Sequence, residues 1–132
     1  GGVGPAPRPE VGWMEVEPVR EGAIPAGPWP FWHVDRFELP SGGELLARTE
    51  VGPAAFRLGN SLAVQFHPEL TGAVLELMIA SHRGAADPES VRSLRAGIAA
   101  EPGRLRERAW ALYDGLIGAT PTEERSRAWA MR

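Results

Sequence analysis

The hydrophobic pattern of this chain changes period at Glu69, and that switch constrains the fold more than any other feature. Upstream, apolar residues alternate as in half-buried strands. Leu62, Val64 and Phe66 alternate with Ala63 and Gln65, and Gly59-Asn60 is a two-residue hairpin signal between Phe56-Arg57-Leu58 and Leu62-Ala63-Val64. Gly12 to Val19, Phe31 to Leu39, Leu45 to Val51 and Ala54 to Leu58 read as further strands, whereas residues 1–10, GGVGPAPRPE, read as loop. Downstream, Val74, Leu75, Leu77, Met78 and Ile79 make one broad helical face, with Gly84 as its stop. Asp87-Pro88-Glu89 is an N-cap, a first-turn Pro and a first-turn acid, and Val91, Leu94 and Ile98 follow at spacings of 3 and 4. Pro102 restarts a helix with the stripe Leu105, Ala109, Leu112, Tyr113, Leu116 and Ile117, ended by Gly118. Thr120-Pro121-Thr122-Glu123 begins a last short helix carrying Trp129. Strands in 12–67 followed by three or four helices in 71–131 fit an α+β domain or the second half of a larger α/β domain.

Composition narrows the partners. The 132 residues suit one domain, and 43% hydrophobic content supports a core. A net charge of -3 argues against nucleic acid or an anionic membrane as the main partner, since both need a basic face. The Arg-rich helices are interspersed with Glu89, Glu101, Glu107 and Asp114, which reads as a solvated mixed-charge surface. No apolar run approaches the ~20 residues that a membrane helix needs. Absence of cysteine removes disulfides, thiolate metal ligands and a thiol nucleophile from these residues.

The strand "LAVQFHPEL", 62–70, ends in an imidazole and a carboxylate two residues apart. Pro68 biases His67 toward extended geometry, and in an extended chain residues i and i+2 project to one side. His67 and Glu69 therefore stand together as a base and the group that orients it, two parts of a nucleophilic triad. A serine nucleophile within the chain does not fit. Gly59-Asn60-Ser61 is a hairpin tip followed by a strand, whereas a nucleophile elbow is followed by a helix. Two other readings compete. His33-Val34-Asp35 with His82 has the residue types of a 2-His-1-carboxylate metal site, with Arg92 as a co-substrate group; His82 reads more simply as a cation at a helix C-terminus. The tryptophans at 13, 29, 32, 110 and 129 could instead form a partner-binding face, although Trp110 reads as packing within the domain and Trp13, Trp29 and Trp32 as pocket lining.

Four segments in order, "PEVGWMEVEP" (9–18), "FWHVDRFELPSGGELLARTE" (31–50), "AAFRLGNSLAVQFHPEL" (54–70) and within it VQFHPE, resemble class I glutamine amidotransferases. They are most similar to the stand-alone branch that looks like the amidotransferase domain of GMP synthase. The resemblance implies a flavodoxin-like open α/β sheet and a Cys-His-Glu triad that releases ammonia from the glutamine side chain. It makes His67 and Glu69 the catalytic His and Glu. It makes Trp32, His33, Val34 and Asp35 the turn whose backbone holds the substrate. Val34 stands where many relatives have Gly, and a β-branched residue resists positive φ, which implies a changed turn or a tighter pocket. Some relatives cleave γ-glutamyl bonds instead.

In that family the cysteine elbow shortly precedes the segment that opens this chain. The resemblance thus implies that residues 1–132 are a partial amidotransferase domain whose N-terminal half, with the elbow, lies upstream, and that 71–131 is its helical C-terminal region. It implies glutamine or a γ-glutamyl compound as substrate, an ammonia-accepting synthetase domain or subunit as partner, a cytoplasmic location, and no cofactor or metal. A catalytically inactive binding or scaffold relative is the alternative. His67 acts as a base only when neutral, so activity is expected to fall on the acid side.

Overall fold

The computed structural model describes residues 1–82, 84 and 86–117. Strands come first and helices afterwards, as the change of period indicates. The strands are β1 (Val3–Glu15), β2 (Glu17–Pro18), β3 (Pro28–Phe37), β4 (Glu44–Arg48), β5 (Pro53–Leu58) and β6 (Ser61–Val64). The helices are α1 (Gly72–Ser81), α2 (Pro88–Ala100) and α3 (Pro102–Ile117). β1 pairs with β3, and β2, β4, β5 and β6 form a second sheet in that order. Every pairing among the described residues is antiparallel.

The first ten residues differ from the sequence reading, since most of what read as loop is strand β1. Proline fixes φ at a value a strand accepts, and its missing N–H matters only where the ladder needs a donor. Here the ladder is broken where the prolines sit. Pro5 lies opposite Asp35 and Glu10 opposite His33, so five steps along β1 match two along β3. Pro7 and Pro9 fall inside this bulge, which spares them the pairing they could not complete.

The hairpin signal is realised as expected. Leu58 pairs with Ser61 across Gly59-Asn60, and Gly59 takes φ +57°. The Asp87 cap is as read, whereas the cap of α1 at Thr71 is not singled out by the sequence and its C-cap is His82 rather than Gly84. Thr71 Oγ1 accepts from the Val74 amide at 3.2 Å, and Asp87 Oδ1 accepts from the Ser90 amide at 2.9 Å. The polypeptide leaves α1 through His82, whose amide returns to the Met78 carbonyl, and Gly84 then turns with φ +81°. The expected last helix with Trp129 lies outside the described residues.

Trp29, Phe31, Leu46, Phe66, Leu75, Leu94, Leu105 and Leu112 form the centre of the core. Trp29 and Phe66 stack with centroids 4.4 Å apart, and Phe31 closes on Phe66 at 6.0 Å. Arg108 holds its guanidinium over the Trp29 ring, 5.5 Å from the ring centroid, and donates to the Pro28 carbonyl. Burial, with Arg104 nearby, pushes its guanidinium below the ordinary arginine value. Three apolar residues depart from their expected places: Leu77, Trp110 and Tyr113 are exposed rather than buried in the helical faces.

Candidate functional site

The site lies where the two sheets meet. After β6 the chain keeps its pairing for one more residue, with the Gln65 amide donating to the Ala54 carbonyl at 2.8 Å. Two residues later it changes partner, and the His67 amide donates to the Pro30 carbonyl of β3 at 2.9 Å. Phe66, between them, is driven into the core against Trp29 and Phe31. With Phe66 inward, the next residue, His67, is carried to the surface side of the strand end. The Leu70 amide then returns to the His67 carbonyl at 3.2 Å, a tight turn that delivers the chain to the Thr71 cap of α1.

This turn sets the side chains of His67 and Glu69 together. His67 Nδ1 lies 2.8 Å from Glu69 Oε1. An ionised carboxylate only accepts, so Nδ1 carries a proton, and in the neutral imidazole Nε2 then keeps its lone pair. The imidazole is about one-quarter accessible, at 28%, and the carboxylate is open at 56%. The two side chains that the H-x-E spacing sets side by side are thus in contact, and solvent can reach them.

The segment Trp32–Asp35 does not form a turn. It is part of β3, and Val34 adopts no positive φ, because no residue other than glycine does so among the described residues. The expected conflict between Val34 and a left-handed turn therefore does not arise. Val34 and Asp35 face outward, and Trp32 is half-buried against the core. The His33 ring contacts Phe31, with centroids 5.6 Å apart, so a line of rings runs from Phe66 through Phe31 to His33.

His33 is held at both ends. Nδ1 donates to the Asp35 carbonyl at 2.6 Å. Nε2 lies 2.9 Å from Glu10 Oε2, close but without hydrogen-bond alignment. Glu10 is 4% exposed and is the buried charged residue of the described chain. The sequence reading included Glu10 in a motif but assigned it nothing. The signal was faint: one acid before Val11-Gly12-Trp13, with no pattern to show that its side chain turns inward.

The residues of the metal-site reading are not brought together. Both nitrogens of His33 are engaged as described, His82 Nδ1 faces the Met78 carbonyl, and Arg92 pairs with Glu89. Among the described residues no group of three or more His, Asp or Glu is placed to hold a metal ion. The tryptophans do not share one face either. Trp29 is fully buried, and Trp13 Nε1 donates to the Ser93 carbonyl of α2 at 3.2 Å. Trp110 instead lines a largely apolar groove of about 680 Å³ between Glu69, the start of α1 and α3. No helix of the described residues is long and apolar enough to cross a membrane.

No family model matches the sequence. A stretch of 71 residues is 41% identical to the imidazole glycerol phosphate synthase subunit HisH of Symbiobacterium thermophilum, covering 48% of this chain and 34% of that protein. Two solved structures share the fold. One is a glutamine amidotransferase from Thermotoga maritima, with TM-score 0.74 and 21% identity over 89% of this chain and 55% of that one. The other is a glutamine amidotransferase from Methylobacillus flagellatus, with TM-score 0.73 and 20% identity over 88% of this chain and 55% of that one. The chain thus spans about half the length of these solved structures and about a third of the curated relative. Over the part that it spans, the chain has the α/β fold of a class I glutamine amidotransferase domain, as its ordered motifs imply.

Proposed function

We propose that this chain supplies the His and Glu of a glutamine amidotransferase-like amide hydrolase, with residues 1–132 forming part of the catalytic domain. The observation that carries the reading is the 2.8 Å contact between His67 Nδ1 and Glu69 Oε1 at the end of a strand. Glu69 fixes the imidazole with Nε2 unprotonated, ready to take a proton from a nucleophile. The sequence contains no cysteine, so the thiol has to come from outside these residues. His67 would take its proton, the thiolate would attack the side-chain amide carbon, and His67 would return the proton to the departing ammonia. Water then cleaves the thioester, with the same imidazole as base. Trp32, His33, Val34 and Asp35 are assigned to holding the acyl donor along β3. A curated relative is named as a subunit of a synthase. By analogy, the ammonia released here passes to an acceptor domain or subunit.

The test is ammonia release from glutamine by the complete gene product, measured beside release from γ-glutamyl amides. Glutaminase turnover by the complete protein and none by residues 1–132 alone is the expected result. Cleavage of γ-glutamyl amides with no action on glutamine would move the substrate assignment. Inactivity toward both would favour a binding role for the fold.

A further inference from the structure

Glu10 poses the problem that leads furthest. A carboxylate taken out of water is unfavourable unless it is paired, and the cost falls on the fold. Yet Glu10 is 4% exposed, and its side chain is directed at the His33 ring, itself only 10% exposed. The backbone is shaped to allow this. The bulge between Pro5 and Glu10 takes up the extra residues of β1, so that Glu10 arrives directly across from His33. Had the ladder run without the bulge, the residue opposite His33 would have been Pro7.

The pair joins two parts of the site. His33 Nδ1 is fastened to the Asp35 carbonyl at 2.6 Å, so the ring bridges the main chain at 35 to the carboxylate on β1. Three residues before His33 on the same strand, the Pro30 carbonyl receives the His67 amide at 2.9 Å. Phe31 lies between, in ring contact with both His33 and Phe66. A displacement of His33 would therefore act first on the 33–35 backbone and only secondarily on His67.

We infer that Glu10 is a positioning residue for acyl-donor binding: through the His33 imidazole it holds the 33–35 backbone of β3 in the shape that receives the substrate. The inference rests on the amidotransferase reading of the site. It assigns Glu10 a signature distinct from that of Glu69, because Glu69 acts on the proton-transferring imidazole and Glu10 on the segment that binds.

The experiment compares Glu10→Gln, His33→Gln and the double variant in the complete protein, with steady-state kinetics on glutamine and thermal unfolding of each. Glu10→Gln keeps the shape and removes the charge. The expected result is a KM raised about tenfold, the scale of a lost charged contact, with kcat changed less than about twofold. In the His33→Gln background the same change should add nothing, since the contact is already gone. An unchanged KM, a fall in kcat at constant KM, or equal effects in both backgrounds would overturn the inference. Should Glu10→Gln not fold, Glu10→Asp, which keeps the charge but withdraws it, reads the same way: a raised KM supports and an unchanged KM refutes. His67→Ala in parallel separates the two claims. Full turnover in that variant removes the amidotransferase reading and this inference with it. Lost turnover there, with unchanged KM in Glu10→Gln, removes the inference alone.

Discussion

The His67 amide donates its hydrogen bond to the Pro30 carbonyl at 2.9 Å, and this bond joins the end of one sheet to a strand of the other. Proline at 30 has no N–H of its own to offer, but its carbonyl remains a full acceptor. The same stretch sends Gln65 to Ala54, so the chain exchanges strand partners within two residues of its catalytic candidate. Such a junction needs something rigid beneath it, and Phe66 provides it by stacking on Trp29 at 4.4 Å.

Removing that support should cost both stability and alignment. Phe66 is 2% exposed and touches two aromatic rings. Phe66→Ala is expected to destabilise the fold by about 3–5 kcal/mol, and Phe66→Leu by roughly 1–2 kcal/mol. Urea unfolding measures the difference. A loss below about 1 kcal/mol for the alanine variant would show that the junction does not depend on the ring stack.

On the helical side, Arg95 of α2 reaches Glu76 of α1 through two hydrogen bonds of 2.6 Å. The Arg95 bonds hold the Glu76 carboxyl below the usual carboxylate range. A group whose pKa is lowered by folding adds stability above its unfolded pKa and loses it as the pH falls through the folded value. Glu76→Gln should therefore lower Tm near neutrality and approach the parent as acid protonates the Glu76 carboxyl in the folded as well as the unfolded state. The pair is exposed, so added salt should shrink the neutral-pH gap. Thermal melts from acid to neutral pH would count against the pairing if the gap stayed constant.

Gly97 is where Trp13 crosses α2. A Cβ at this position would lie 2.9 Å from Trp13 Cζ2 and nearer still to Nε1 and Cε2. Gly97→Ala must displace the indole and break its bond to the Ser93 carbonyl, a loss of about 1–3 kcal/mol. Beyond its own helical backbone, Gly115 of α3 has no atom of the described residues within 4 Å of its would-be Cβ. Gly115→Ala should be neutral or gain up to about 1 kcal/mol from helix propensity. Equal effects of the two alanines in denaturant titrations would contradict the packing of β1 on α2.

The most legible parts of the sequence were those governed by local chemistry. The Asp87 cap, the Gly59-Asn60 turn and the start of each described helix follow from residues within one turn of the feature. His67 and Glu69 were legible for the same reason, because a two-residue spacing after a strand leaves little freedom. β1 was not, since three prolines signal loop and only pairing with β3 makes a bulged strand of them. Glu10 and His33 are 23 residues apart, and only the strand register sets them opposite each other. Trp110 and Tyr113 sit on or beside an apolar stripe, yet a stripe shows which face is apolar and not how much of it this chain covers. They remain exposed on the groove beside Glu69.

The central measurement is the turnover of glutamine by the complete protein carrying His67→Ala, with Glu69→Gln alongside. Loss of proton transfer should lower kcat by about 10²–10⁴ for His67→Ala. Glu69→Gln keeps an acceptor near Nδ1 but removes its charge, so it should cost a smaller share of the activity than His67→Ala does. KM should change little in either case. Turnover unaffected by His67→Ala would contradict the assignment of His67 as the base, however well the 2.8 Å pair is formed.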